Sequence, residues 1–291
     1  MLIAGDWTDF ELLDAGDGEK LERWGTYILR RPDPQALWPA DKSAGKWLAA
    51  DAVYHRSKSG GGNWDYMRDL PDSWEIGYKS LRFGVKPMQF KHTGVFPEQA
   101  VNWDWIIDKI GDQSGCRRSI RVLSLFAYTG AATVAAASAG AFVCHVDAAR
   151  GMVAMAKGNA ALSNLPDDRI RYIIDDVAKF VQREIRRGAS YDAVVMDPPA
   201  YGRGPAGELW KAETHLYNIV ELCVRLLSAQ PIFFIINSYA AGISATSVGN
   251  ILKFAVINRF GGKVECAEIG IPSSSGGFIL PCGCCARWEL A

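Results

Sequence analysis

The sequence predicts an α/β protein in which a mostly parallel sheet with an antiparallel edge follows a small β-rich domain. From residue 121 onward, apolar strand-like runs alternate with helix-like segments, a pattern typical of a sheet covered by helices on both faces. Most of the ten tryptophans lie within the first 105 residues instead. At 291 residues the chain exceeds the usual size of one domain. We expect a β-rich domain over residues 1–90 and the α/β domain over 91–291.

Five apolar runs are the predicted parallel strands: RVLSLF, AFVCHVD, IRYIID, YDAVVMD and PIFFIIN. Helical segments are predicted between them, over 129–140, 149–164, 177–188 and 212–227. Such serial strand–helix units join through right-handed crossovers. The tail segments KVECAEIG and GFILPCGCCARWEL predict two further strands that close the sheet with an antiparallel edge.

The first ninety residues contain short alternating stretches such as TYILRR and WEIGYKSLRF, separated by turn-forming DAGDG and RPDP. This pattern predicts short strands. Aromatic side chains in such a domain either form its core or stack on bases, and the core is the expected place for the tryptophans.

Charge gives no general reason to expect a nucleic-acid partner, because 32 basic residues balance 32 acidic ones. RNA contact would therefore need a local patch. Two basic stretches qualify, and either would contact phosphates or form a solvated face. They consist of Lys79, Arg82, Lys86 and Lys91, and of Arg183, Arg186 and Arg187.

The sequence indicates a cytoplasmic protein without metal or membrane span. The N-terminus has no secretory-signal pattern, and the odd number of seven cysteines suits reduced thiols. Residues 122–146 carry no Asp, Glu, Lys or Arg, but they are rich in Ala, Gly, Ser and Thr, so we interpret them as strand, helix and strand. The spacing in PCGCC is too tight for a usual zinc site.

The residues after each strand are the informative ones, because ligands bind at the carboxyl ends of strands in such sheets. The first strand leads into Phe126, Ala127, Tyr128, Thr129 and Gly130. Gly130 permits a tight turn and a close backbone approach to a ligand, although a plain strand–helix turn is the alternative. The three-glycine dinucleotide pattern is absent, which disfavours a pyrophosphate site.

Carboxylates end the second and third strands. Asp147, followed by Ala148, can accept hydrogen bonds from both hydroxyls of a ribose or cap the next helix. Asp175, Asp176 and Val177 follow the third strand, where a carboxylate beside a backbone amide can bind an adenine. Helix capping is again the alternative.

The fourth strand gives the sharpest local signal, since it ends in Asp197, Pro198, Pro199, Ala200 and Tyr201. The two prolines fix the backbone direction and remove two amide donors. A carboxylate on so rigid a turn, beside an aromatic ring, is suited to placing a flat substrate. An acidic residue that merely caps the loop is the alternative.

These motifs resemble a known family. FAYTGAATVAAASAGA, HVD, DDVAKFV and DPPAYGRG are similar to class I methyltransferases related to the bacterial large-subunit ribosomal RNA methyltransferases of the I and K types, and FKHTGVFPEQ resembles the segment before their catalytic domain. The resemblance covers about residues 80–240. It implies a Rossmann-like class I methyltransferase sheet and S-adenosylmethionine as cofactor.

The resemblance also implies roles for individual residues. Asp147 would hold the ribose, Asp176 the adenine, and Asp197, with Pro198, Pro199 and Tyr201, would form the catalytic loop near the methyl group. Phe126, Tyr128 and Gly130 would line the methionine and ribose. Thr93, Phe96 and Gln99 would close over the cofactor. The other expected cofactor contacts are Ala127, Thr129, Ala148, Asn159 and Val177.

Direct methyl transfer to a base in RNA is the favoured activity. Relatives that form a covalent adduct with a pyrimidine carry a cysteine after the fourth or fifth strand, whereas this chain has Ala200 and then Asn237 and Ser238 at those places. No recognisable RNA-binding module precedes the α/β domain. The alternatives are methylation of a protein or small molecule, a nicotinamide-dependent oxidoreductase, and a cofactor-binding protein without turnover.

Overall fold

The computed structural model describes residues 1–57, 61–89, 91–113, 119–203 and 209–290. Two compact units make up the chain. The large unit contains Met1, Asn102–Glu268 and Gly283–Ala291, and the small unit contains Leu2–Val101 and Ile269–Cys282. The small unit thus reaches Val101, beyond residue 90. It also takes in a late segment, in which Ile269 and Gly270 pair with the first strand.

The strands are β1 (Leu2–Ile3), β2 (Phe10–Gly16), β3 (Glu19–Trp24), β4 (Tyr27–Pro32), β5 (Ala52–Arg56), β6 (Gly62–Tyr66), β7 (Trp74–Tyr78), β8 (Leu81–Val85), β9 (Arg121–Leu125), β10 (Phe142–Asp147), β11 (Ile170–Ile174), β12 (Ala193–Met196), β13 (Tyr201–Arg203), β14 (Leu209–Lys211), β15 (Phe233–Ser238), β16 (Lys263–Pro272) and β17 (Ile279–Glu289). The α-helices are α1 (Gly45–Leu48), α2 (Ala100–Gly111), α3 (Ala131–Ser138), α4 (Arg150–Leu162), α5 (Val177–Arg186), α6 (Ala212–Val224) and α7 (Ala245–Phe260). Short 3₁₀ helices cover Pro97–Gln99 and Asp167–Arg169.

Within the described residues, the largest sheet has eight strands in the order β1-β16-β17-β15-β12-β9-β10-β11. The five predicted strands β9, β10, β11, β12 and β15 are parallel to their neighbours in this group. Strand β17 runs antiparallel to β15. The predicted mostly parallel sheet is therefore confirmed, but the antiparallel strand β17 lies inside the sheet and not at its edge, because β16 and β1 continue the sheet beyond it. Chain order reverses between β9 and β12, and this switch point is where such sheets bind ligands.

The apolar runs form buried strands because helices cover both faces of the sheet. On one face, residues of α5, α6 and α7 pack against Leu125, Val146, Met196 and Ile236 in one continuous core. On the opposite face, Trp105 of α2 contacts Phe233 edge-on. Helices α3 and α4 contact β10.

The small unit contains the five-stranded sheet β2-β3-β4-β5-β6 and the β7–β8 hairpin, so its β-rich character is as predicted. Trp24 and Trp47 are fully buried in it. This agrees with the expectation that tryptophans form core. Partly buried tryptophans also form hydrogen bonds through their indole N–H groups; for example, the Trp74 indole N–H donates to the Trp24 carbonyl.

Buried charges lie between β3 and β4. The Glu22 carboxylate, with no exposed surface, pairs with the Arg31 guanidinium at 2.6 Å and with the Lys20 ammonium at 3.3 Å. Lys20 also reaches Asp33 at 3.2 Å. Since buried ions are tolerated when they are paired, each of these groups requires the others.

The sequence did not predict helices α2 and α7 or the β13–β14 hairpin. In α7 the buried residues Val248, Leu252 and Val256 repeat every four positions, which is a helical signal. In the part of the chain that the structure describes, no helix has the length and apolar character needed to cross a membrane.

Candidate active site

Three predicted site elements lie side by side at the carboxyl edge of the sheet. Leu125 of β9 pairs with Val146 on one side and Met196 on the other. The next residue of each strand is Phe126, Asp147 or Asp197. Adjacent strands are about 4.8 Å apart, so the backbones at Asp147 and Asp197 flank the 126–130 loop at a separation of about 10 Å.

Hydrogen bonds to the backbone of this loop fix it to the neighbouring strand β10 and to helix α4. The Ala127 N–H donates to the Val146 carbonyl at 3.1 Å, and the Tyr128 N–H donates to Asp147 Oδ2 at 2.8 Å. From α4, the buried Asn159 amide donates to the Thr129 carbonyl at 2.8 Å. Asn159, expected to contact the cofactor, is thus seen to support the loop, and its role toward the cofactor stays a prediction.

The loop has an unusual backbone. Phe126 and Tyr128 have φ of 51° and 50°, in the left-handed region that bulky residues rarely adopt. Gly130 has φ of 81°, and a Cβ atom there would lie 2.7 Å from the Ala156 side chain. Only glycine fits that position. Backbone strain of this kind, here at alternate residues of one loop, concentrates at functional sites.

The Asp147 carboxylate lies at the end of β10 and is partly buried. It accepts the Tyr128 N–H on Oδ2 and the Ala149 N–H on Oδ1, both at 2.8 Å. Burial raises the pKa of Asp147, although these two hydrogen bonds oppose the shift. The following helix begins at Arg150, and its N-cap, Ala149, lacks a side-chain cap. Asp147 therefore anchors the loop and does not cap the helix.

Asp176 is the N-cap of α5, and its Oδ1 accepts the Lys179 N–H at 2.9 Å. The alternative of helix capping is therefore realised, while adenine binding stays a prediction. Val177 is the buried first residue of the helix. Neighbouring Asp175 forms an ion pair with Arg183.

The Asp197 loop follows β12. The Asp197 N–H donates to the Leu125 carbonyl at 3.3 Å, which ties this loop to β9. Pro198 is buried, whereas Pro199 and Tyr201 are exposed. The Pro199 carbonyl accepts the Trp210 indole N–H at 2.6 Å. Trp210 was not predicted, and its only sequence signal is an aromatic residue soon after the double proline.

Thr93, Phe96 and Gln99 lie in the small unit, just before and within the 3₁₀ helix Pro97–Gln99. Thr93 and Gln99 are buried, and the Gln99 N–H donates to the Phe96 carbonyl at 3.0 Å. Their expected closure over the cofactor stays a prediction. Ala148 is exposed after Asp147, and its role is likewise a prediction.

Residues of both basic stretches make contacts within the protein, which compete with contacts to phosphates. Lys91 donates to the Pro32 carbonyl at 3.3 Å, and burial lowers its pKa. On α5, Arg183 pairs with Asp175, and Arg187 pairs with Glu184 at 3.0 Å.

The cysteines and the other metal-ligand side chains form neither disulfides nor a metal cluster within the described residues. The six cysteines within the described ranges are unpaired, and Cys116 lies outside those ranges. Across those same residues, no three His, Cys, Asp or Glu side chains come together as a metal site requires.

The sequence model of the S-adenosylmethionine-dependent methyltransferases matches residues 29–242. The crystal structure of a SAM-dependent methyltransferase from Agrobacterium tumefaciens is 35% identical, with a TM-score of 0.91 over 100% of this chain and 93% of that one. A putative methyltransferase complexed with SAH has the same fold, at 18% identity and a TM-score of 0.73, covering 97% of this chain and 76% of that one.

A curated relative is the ribosomal RNA large subunit methyltransferase K of Neisseria meningitidis serogroup B. It is 25% identical over 232 residues, which are 77% of this chain and 64% of that protein. The chain therefore spans less than two-thirds of the length of this relative.

Proposed function

Since the chain belongs to the S-adenosylmethionine-dependent methyltransferase family, we propose that it transfers a methyl group directly from that cofactor to a base in RNA. The observation that carries the proposal is the row of Asp147, the 126–130 loop and Asp197 along one edge of the sheet. The switch point of the sheet lies within this row, between the 126–130 loop and Asp197. A ligand can enter there because the loops on its two sides diverge.

The residues present fit the cofactor. An ionised carboxylate has about four acceptor sites, and the backbone occupies two of those on Asp147, which leaves capacity for two ribose hydroxyls. Asp176 and the Val177 N–H would meet the adenine. The strained 126–130 loop would lie against the methionine portion of the cofactor. When bound, the cofactor supplies a methyl group on a positively charged sulfur, which needs no further activation.

Asp197 would orient the acceptor by accepting a hydrogen bond from it. The bound cofactor would supply its methyl carbon to a lone pair of the acceptor, and Asp197 or water would take the proton that the acceptor gives up. The loop is rigid because Pro198 and Pro199 restrict it and because the Asp197 N–H is bonded to Leu125. Most of the rate would come from such positioning.

RNA is the proposed acceptor because the Neisseria relative is named as a ribosomal RNA methyltransferase. The absence of a cysteine in the sequence at Ala200, Asn237 and Ser238 supports direct transfer over a covalent adduct. The same proposal places the enzyme in the cytoplasm.

Calorimetric titration with S-adenosylmethionine, with NAD in parallel, tests the cofactor. We expect micromolar affinity for the former, about −8 kcal/mol, and none for NAD. Asp147→Ala should weaken S-adenosylmethionine binding at least about tenfold, since hydrogen bonds to charged groups contribute about 1.5–3 kcal/mol each. Asp168→Ala, at an exposed aspartate on the 3₁₀ helix Asp167–Arg169, is the matched control. Unchanged affinity of the Asp147 variant would refute its assignment to the ribose.

Transfer of a labelled methyl group tests the acceptor. Purified enzyme is given total RNA and total protein from cells that lack its gene. We expect label in RNA only, with transfer falling steeply as salt rises. Label in protein alone would replace the RNA proposal with the protein alternative.

A further inference from the structure

An aromatic wall, defined here as Phe126, Trp210 and His215, lies beside the Asp197 loop. The Trp210 ring is 5.1 Å from the Phe126 ring and 5.6 Å from the His215 imidazole, measured between centroids. Trp210 and His215 are stacked, with 28° between their planes. These rings come from the loop after β9, from β14 and from α6, so the fold assembles them from three separate segments.

The hairpin fixes Trp210 to the Asp197 loop. Trp210 pairs with Gly202 across β13 and β14, its indole N–H donates to the Pro199 carbonyl at 2.6 Å, and the Ala212 N–H donates to the Ala200 carbonyl at 3.0 Å. The ring therefore keeps a set position relative to the proposed catalytic carboxylate.

Phe126 and Trp210 pack with one part of their rings against the hydrophobic core, but the wall keeps accessible surface. His215 is exposed and Trp210 only partly buried, so their rings remain in reach of a ligand. Phe126 adopts its left-handed backbone at a conformational cost, yet its ring packs against Trp210. Amphipathic aromatic rings with accessible surface are typical of binding sites.

We infer that the aromatic wall binds the flat face of the methyl acceptor, a heteroaromatic base, through stacking on Trp210. This inference rests on the proposed function, which it makes more specific. A base held against Trp210 has its edge near the Asp197 loop, because the Trp210 indole N–H is hydrogen-bonded to Pro199, which is two residues after Asp197. Every base has a π-face, so the wall supplies orientation, and the identity of the base is read elsewhere.

Three variants separate stacking from a structural role. Trp210→Leu removes the ring, and Trp210→Phe keeps a ring while losing the bond to Pro199. Leu209→Ala is the control on the neighbouring, outward-facing residue, 44% exposed. Each variant is first titrated with S-adenosylhomocysteine, whose affinity should stay within about threefold of wild type.

Two readouts follow. In methyl transfer to RNA, one stacked base corresponds to a loss of about 5- to 150-fold; kcat/KM should fall by that factor in Trp210→Leu, fall less than fivefold in Trp210→Phe and stay level in Leu209→Ala. Equal losses in both Trp210 variants, or no loss in Trp210→Leu, overturn the inference.

Saturation-transfer NMR provides the second readout without RNA. Adenosine, guanosine, cytidine and uridine are added to enzyme saturated with S-adenosylhomocysteine. We expect a signal with wild type that disappears in Trp210→Leu. If wild type shows none, or the variant matches it, the wall does not bind bases. A positive result here without methyl transfer to RNA would reject only the proposed RNA acceptor.

Discussion

Substituting Gly130 with alanine tests how the loop backbone is held. An alanine at φ of 81° carries a left-handed cost of about 1–2 kcal/mol. Its Cβ would also lie 2.7 Å from the Ala156 Cβ, and overpacking of this kind costs about 1–3 kcal/mol. Gly130→Ala should therefore lower the free energy of unfolding by about 2–5 kcal/mol. It should also weaken cofactor binding, because the loop must move.

Two other glycines separate these two costs in urea unfolding. Gly140 has φ of 95° and no atom within 4 Å of a built Cβ, so Gly140→Ala should lose only the backbone cost of about 1–2 kcal/mol. Gly158 lies inside α4 with open space around it, so Gly158→Ala should stabilise by roughly 0.5–1 kcal/mol.

A double-mutant cycle isolates the steric part. Adding Ala156→Gly to Gly130→Ala removes the overlapping carbon, so the two substitutions should be coupled by about 1–3 kcal/mol. If Gly130→Ala loses no more than Gly140→Ala and the coupling is zero, the contact with α4 does not constrain the loop and the reasoning is refuted.

Three other stability measurements follow. Glu22→Leu should cost about 3–5 kcal/mol in urea unfolding, because it leaves Lys20 and Arg31 buried without their shared anion; no loss would show that the cations find other partners. Burial lowers the pKa of His145 to about 4, so the contribution of this side chain to stability should be complete above pH 6.5 and fall by about 3 kcal/mol as pH drops toward 4. His145→Gln should reduce the loss of stability on acidification by about that amount, while His92, whose pKa burial also lowers to about 4, keeps its own share; an unchanged pH profile would contradict the assignment to His145. Asn102→Leu, which breaks buried hydrogen bonds to an arginine and an asparagine, should cost about 2–4 kcal/mol, and a wild-type unfolding midpoint would exclude this role.

The parallel strands could be predicted because their burial on both faces produces continuous apolar runs. Once the strands were predicted, the acidic residues after them could be assigned to the site, because ligands bind at the carboxyl ends of such strands. The β13–β14 hairpin was missed because its paired strands have three residues each, too few to show alternation. Its most important side chain, Trp210, therefore had no predicted place.

Local signals also left the site incomplete. An aspartate at the end of a strand can cap the next helix or anchor a loop, and the sequence is the same in both cases. Only the hydrogen bonds show that Asp176 caps a helix whereas Asp147 anchors a loop. The left-handed backbone of Phe126 and Tyr128 could not be predicted, because tertiary contacts impose it against their intrinsic preference.

The discontinuous small unit has a consequence for synthesis of the chain. Strand β1 takes its partner from β16, and Ile269–Cys282 belong to the same unit as Leu2–Val101. Domains usually fold in order as they leave the ribosome, at about 5–20 residues per second. Here β1 is made well before its partner β16, so roughly 10–50 s pass before its edge is paired. Until then that nascent segment offers an unpaired strand, which is the kind of surface that chaperones protect.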